Sequence, residues 1–321
     1  MVVITTILGG LLLLGKTIIL FVVTMFESLR NEGLGLISLL IFLLTGLLVF
    51  EGYREIRNRI SSDKDRKNND TEMWLHKFAD FLSVVIGAVV TFYLNNHIGL
   101  GAVAAAGIVG ILGFVVASKY EVPIYCGSFV GMSSANVYDF EHLLIASVLA
   151  GVIFVITKRI FKGFGGKLGT IALLGAVLSA VITGREFTKS SLPEWEVGLL
   201  IMFFAIIGIL ATYILNVRFG KSPVLSSATI GLIGGLVLPE IFPEIGQILA
   251  LVVICASFAG MSSKERLPNE FYAVIAGMFC GVIFIFSAPY FGGAGGKLGT
   301  IAFGAVISVA ALRRFGVLFK K

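Results

Sequence analysis

The chain has 321 residues, of which 57% are hydrophobic and 14% charged, with a mean hydropathy of +0.98. Soluble domains carry roughly 25% charged residues, so the composition excludes a soluble domain and indicates an integral membrane protein. The net charge of +6 lies in short loops between apolar runs, where it reads as a topology signal and not as a nucleic-acid surface. Those runs last about as long as a bilayer crossing and do not alternate with period two, which points to helices and against a barrel.

In chain order, Val2 to Phe26 is apolar apart from Lys16, and Leu34 to Phe50 is a second run of spanning length. The first run has no early basic region and no small-residue cleavage site, so it reads as a retained helix and not as a signal peptide. Residues 1–52 are thus expected to form an N-terminal transmembrane hairpin. Tyr53 to Lys77 carries seven Lys/Arg and five Asp/Glu, and residues 53–79 are expected to be a polar cytoplasmic linker. Residues 80–184 contain five apolar elements, Phe81–Leu94, Leu100–Ala117, Val122–Ser134, Leu143–Ile156 and Leu168–Thr183. Residues 196–315 contain five more, Val197–Leu215, Val224–Leu238, Ile245–Met261, Phe271–Phe286 and Leu298–Leu312.

These two blocks are copies of one another. Gly165-Gly166-Lys167-Leu168-Gly169-Thr170-Ile171-Ala172 returns unchanged as Gly295-Gly296-Lys297-Leu298-Gly299-Thr300-Ile301-Ala302, 130 positions later. Cys126-Gly127-Ser128-Phe129-Val130-Gly131-Met132-Ser133-Ser134 returns as Cys255-Ala256-Ser257-Phe258-Ala259-Gly260-Met261-Ser262-Ser263. The chain is a tandem duplication.

Topology then turns on the short third element. If it crosses, and the linker is cytoplasmic, 20 of the 25 Lys/Arg fall inside and only Arg30, Arg185, Lys189 and Lys297 outside. The positive-inside bias favours crossing. Five crossings invert the second repeat relative to the first. The expected fold is therefore an all-α polytopic bundle of two inverted five-helix repeats plus the hairpin, in the cell membrane with both termini cytoplasmic. Over residues 80–315 this plan resembles that of secondary transporters built from inverted five-helix repeats, a resemblance of arrangement that names no substrate.

The duplicated phrases supply the candidate site. Paired short, glycine-interrupted segments at corresponding places of two halves point to a midplane binding site, because a broken helix exposes backbone groups. Gly127, Ser128, Gly131, Ser133 and Ser134 form one such segment, beginning near Pro123; Ser257, Gly260, Ser262 and Ser263 form the other. The competing explanation for each residue is close helix packing, with the serine bonded to its own backbone. In the Gly-Gly-Lys phrases, Gly166, Lys167 and Thr170, with Gly296, Lys297 and Thr300, combine glycine turns, helix N-termini and donors in a way that suits an anion; interfacial snorkelling is the plainer role for Lys167. Lys16 is an intramembrane charge and hence a functional candidate by default. Cys126 and Cys255 read as small packing residues, with no disulfide framework, and His97, His142 and Glu121 as boundary residues.

Predicted spans carry no Asp or Glu securely at their middle, which disfavours a proton or cation antiporter. Residue sets for metal or nucleophilic catalysis are missing, so neither an enzyme nor a cofactor is expected. The expected function is a secondary transporter or facilitator for a small polar, anionic solute, bound at the midplane between the repeats and moved by alternating access. The rivals are a channel, a lipid-phosphate translocase and a non-transporting scaffold. Expected partners are the solute and membrane lipid, with no nucleic acid; a homo-oligomer is compatible with the sequence.

Overall fold

The computed structural model describes residues 2–64 and 74–318. Among them are twelve α-helices: α1 (Val2–Glu32), α2 (Leu36–Lys64), α3 (Trp74–Asn96), α4 (Ala102–Ala117), α5 (Glu121–Gly131), α6 (Phe140–Thr157), α7 (Lys167–Thr183), α8 (Trp195–Tyr213), α9 (Pro223–Ile241), α10 (Gly246–Gly260), α11 (Glu270–Phe286) and α12 (Lys297–Leu318). Eight stretches are long and apolar enough to cross a membrane, and the chain is a multi-pass helical membrane protein.

Length alone hides one feature of the first repeat. Ala102–Gly131 would pass as a single 30-residue span, but the chain reverses at a 3-10 turn over Ser118–Tyr120, entered through Ala117 at φ −143° and ψ 56°. Beyond the turn α5 folds back along α4, with the Tyr125 ring over Gly110 and Ile124 over Gly113. The third element is therefore a helix of its own, only 11 residues or about 16 Å long. Pro123 stands in its first turn, where a missing N–H removes no helical bond. In the second repeat Ser222 caps α9, accepting from Val224 N and Leu225 N, with Pro223 at the first helical position, a favourable start for a helix. Ser222 Oγ also donates to the Glu121 carboxylate at 2.9 Å, tying the start of α9 to the start of α5.

Two seams join the repeats, and both are built from residues with little or no side chain. Along α4 and α9, Gly235 faces Ala104 while Gly107 faces Leu232 and Ala228, so the helices run antiparallel. Along α7 and α12, Gly166 lies against Phe303, Gly169 against Gly299 and Gly296 against Leu173. These two helices thus overlap, antiparallel, only in their first two turns. A Cβ on Gly169 would collide with the Cα of Gly299, and the reverse holds. In lipid, where helices gain nothing by hiding apolar surface from one another, such backbone proximity is the main source of van der Waals attraction.

The N-terminal hairpin is closed by a Ser28–Ser38 hydroxyl bond of 2.8 Å and clasps both repeats. Phe21 and Thr17 of α1 fill the space beside Gly304 of α12, and Gly9 and Gly10 lie against Thr157 and Ile160 at the end of α6. From α12, Ser308 Oγ donates to Leu44 O of α2 at 3.0 Å. The stretch expected to be a linker from residue 53 is helical as far as Lys64, and α3 begins at Trp74; residues 65–73 lie outside the described residues. Some charges here have partners far along the chain. Buried Glu51 holds Arg54 and Arg314, Glu55 holds Arg266 at 2.6 Å, and Ile56 packs into the core.

A side chain at the α7–α12 crossing should be the most damaging small change in the molecule. Gly169→Val is expected to abolish monodisperse, folded protein in detergent. Gly46→Ala, at an α2 position with nothing within 4 Å of the added carbon, should leave the melting temperature unchanged or raise it, by up to about 1 kcal/mol of helix propensity. Size-exclusion profiles and thermal unfolding of the two variants check this.

Candidate functional site

Each repeat's duplicated Gly-Gly-Lys phrase closes a turn between its fourth and fifth helices, and the two turns have the same backbone. Phe161 and Phe291 sit at φ 52° and 54°, Gly163 and Gly293 both at 78°, and Gly166 and Gly296 at 80° and 90°. A phenylalanine in the left-handed region costs of order 1–2 kcal/mol, yet it occurs at corresponding places in both copies. The third helix of the opposite repeat anchors each turn. Gly165 N donates to Ser262 Oγ at 3.0 Å and Gly295 N to Ser133 Oγ at 3.0 Å. Ser263 N donates to Gly163 O at 2.9 Å and Ser134 N to Gly293 O at 3.0 Å.

The two lysines turn back on their own repeats. Lys167 Nζ donates to the carbonyls of Thr157 and Ile160 at 2.7 Å and of Lys158 at 3.3 Å. Lys297 Nζ donates to Ser287 O at 2.7 Å and Ala288 O at 3.3 Å. Each ammonium thereby satisfies the carbonyls that end the preceding helix. Its charge stays beside the N-terminus of α7 or α12, where unpaired N–H groups carry a further partial positive charge.

These turns form the walls of two cavities. One, of about 320 Å³, is lined by the second turn, Phe291 to Leu298, with Ala102, Met132, Ser190, Ser191, Ile248 and Leu251. The other, of about 360 Å³, is lined by the first turn, Phe161 to Leu168, with Val122, Lys158, Asn216, Val224, Met261 and Ser263. Only Phe129 and Phe258 belong to both linings. Their rings lie 4.3 Å apart at 43° and both are 1% exposed, so this pair is the partition. α5 passes from the first-turn cavity at Val122 to the second-turn cavity at Met132, while α10 passes from the second at Ile248 to the first at Met261. The thirteen helical steps from Ile248 to Met261 span about 20 Å, placing the cavities at opposite ends of α10. Neither lining contains an Asp or Glu; the charged members are Lys158, Lys162 and Lys167 on one side and Lys297 on the other.

Beside the aromatic pair, a chain of buried hydroxyls links the two repeats. Tyr125 OH lies 3.0 Å from Ser227 Oγ, which lies 2.8 Å from Ser257 Oγ, and the Tyr125 ring meets Phe129 at 4.4 Å. The residue corresponding to Tyr125 in the second copy is Ile254, so the duplication is asymmetric at its centre.

Of the residues singled out from sequence, Gly166, Lys167, Ser263, Gly296 and Lys297 line the cavities. Ser128, Ser133, Ser257 and Ser262 are buried and donate to carbonyls three residues back; Ser133 and Ser262 also hold the turns. Gly127 and Gly131 admit the α3 backbone at Val84 and Ala88, and Gly260 admits Ile209 and Thr212 of α8, which is the packing role. Ser134 Oγ accepts from Asn136 N. Thr300 Oγ1 donates to Gly296 O at 3.2 Å, whereas Thr170 Oγ1 and Ser263 Oγ are buried without a hydrogen-bond partner among the described residues. Cys126 and Cys255 are buried free thiols facing the Leu168 and Leu298 carbonyls. Sequence reasoning passed over Phe129 and Phe258, although one aromatic kept at the same place in both small-residue phrases was the available signal. Comparison with protein families, curated proteins and solved structures finds no match to this chain.

The serine anchors can be weighed directly. Ser133→Ala and Ser262→Ala each strand a buried glycine N–H, so each is expected to cost about 1–3 kcal/mol, and thermal unfolding should give similar losses for the two. A Ser128→Ala variant, which strands no N–H, should lose less.

Proposed function

We propose that the protein is a secondary transporter or facilitator that carries a small anionic solute across the cell membrane. One observation carries the reading: two cavities of similar volume meet at a two-ring partition, and each is walled by one copy of the same glycine turn, lysine and helix N-terminus. Cavities without carboxylates but with lysines and helix N-termini repel cations and hold anions in a setting too apolar for water to screen the charge. Their volumes, near the lower end of the range for small-molecule sites, suit an inorganic anion or a short organic acid.

In this reading the two repeats have opposite topology and are related by a twofold axis through the Gly169–Gly299 contact and the Phe129–Phe258 pair. The antiparallel courses of α4 and α9, of α5 and α10, and of the first turns of α7 and α12 support it. Rocking one repeat on the other widens one cavity and narrows its counterpart, and the rings part as the solute passes. The linker and both termini face the cytoplasm, which puts the Lys158–Lys167 cluster there as the positive-inside rule favours. A channel is the second reading, favoured by the coexistence of both cavities in one conformation with a single ring pair between them.

Reconstituted into proteoliposomes, the protein should move small anions such as nitrate or formate and exclude potassium. Replacing both phenylalanines (F129A with F258A) should raise anion flux severalfold and weaken discrimination by size. Wild-type flux equal to that of protein-free vesicles, or equal for nitrate and potassium, would remove the proposal, whereas unitary currents in planar bilayers would select the channel.

A further inference from the structure

Lys16 belongs to the N-terminal hairpin, outside both copies, yet it lies midway along the 31-residue α1 and reaches the second turn. Its residue is 6% exposed, and its Nζ sits over the Phe291 ring, 3.6 Å from the centroid. Among the described residues, no carboxylate or hydrogen-bond acceptor pairs with it. The corresponding turn of the first repeat has a different arrangement. Phe161 packs edge-on against Phe303, and the nearby cation, Arg266 over Phe164, is neutralised by Glu55. The phenylalanine of the second turn thus carries an ammonium from the hairpin, with no carboxylate beside it, that its first-turn counterpart lacks.

Keeping an ammonium buried with only an aromatic face as partner is costly in a membrane protein, and a cation–π contact offsets part of that cost at most. A methionine would fill the same space at no such cost. An anion at the second turn would remove the imbalance. It would meet Lys16 across Phe291, the N-terminus of α12 and the Lys297 ammonium, with Ser190 and Ser191 on the opposite wall.

Building on the transport reading above, we propose that Lys16, set against the Phe291 ring that walls the second-turn cavity, is a specificity-determining charge for a small monovalent anion bound there. The hairpin then has a chemical role as well as a structural one: it brings a second ammonium to the cavity whose lining holds only that of Lys297.

Three proteins decide the matter: wild type, Lys16→Met and Lys16→Arg, each assayed for nitrate flux in proteoliposomes and for nitrate-induced thermal shift in detergent, with gluconate as the bulky control. The methionine variant should melt no lower than wild type, because it removes a buried charge. It should lose the nitrate-induced shift and about tenfold or more of the nitrate flux, the factor that 1.4 kcal/mol of binding corresponds to. The arginine variant should keep most of both. A methionine variant with wild-type flux and shift overturns the role of Lys16 and leaves the transport reading standing. A methionine variant that melts markedly lower, with the arginine variant equally impaired, makes Lys16 a structural clamp on Phe291 and also overturns the inference. Absence of any nitrate flux or shift in wild type removes both proposals together.

Discussion

The structure depends on a contact that only glycine permits. Gly169 and Gly299 bring the backbones of α7 and α12 so close that neither position has room for a Cβ, and Gly166 and Gly296 press on the other helix one turn away. Because those helices begin where they cross, their N-termini are held at the centre of the bundle, and the turns that precede them are drawn in as well. The cavities, the lysines and the aromatic partition all take their positions from that crossing. The second seam, α4 on α9, repeats the device along a longer stretch.

The glycine turns resolve a conflict between polarity and depth. Irregular backbone inside a hydrocarbon layer must find partners within the protein. The chain supplies them by exchange: Ser133, just beyond the end of α5, satisfies the second turn and Ser262, just beyond the end of α10, satisfies the first. Each lysine meets the same demand for the carbonyls at the end of the helix before it. Groups that look like substrate ligands in the sequence are thus largely consumed in holding non-helical backbone in place. What they leave in the cavities is the field they create together with the helix ends.

Much of this was legible in the residues. Hydropathy and the doubled phrases gave twelve helical elements, and the structure places the start of α7 at Lys167 and the end of α4 at Ala117, at or beside the expected boundaries. Even the weak third element is a separate helix, because Pro123 and the glycines mark it against the apolar run before it. The far-reaching partners were not legible. Ser262 meets Gly165 across 97 residues and Ser133 meets Gly295 across 162, and no local pattern distinguishes such an anchor from a ligand. The helical continuation of α2 to Lys64 was not legible for the same reason, since Glu51 and Glu55 meet Arg314 and Arg266 from much later in the chain. The phenylalanine pair escaped notice because apolar residues in an apolar segment carry no signal until the repeats are laid side by side.

The reciprocal anchoring also bears on how such a chain could arise. A half-length ancestor would have carried a turn whose amide found no acceptor within its own fold, deep in a medium that offers none. Each half is thus incomplete without the other, since its turn is satisfied by a serine of the opposite copy. The copies differ where that exchange does not reach, as at Tyr125, whose counterpart is Ile254.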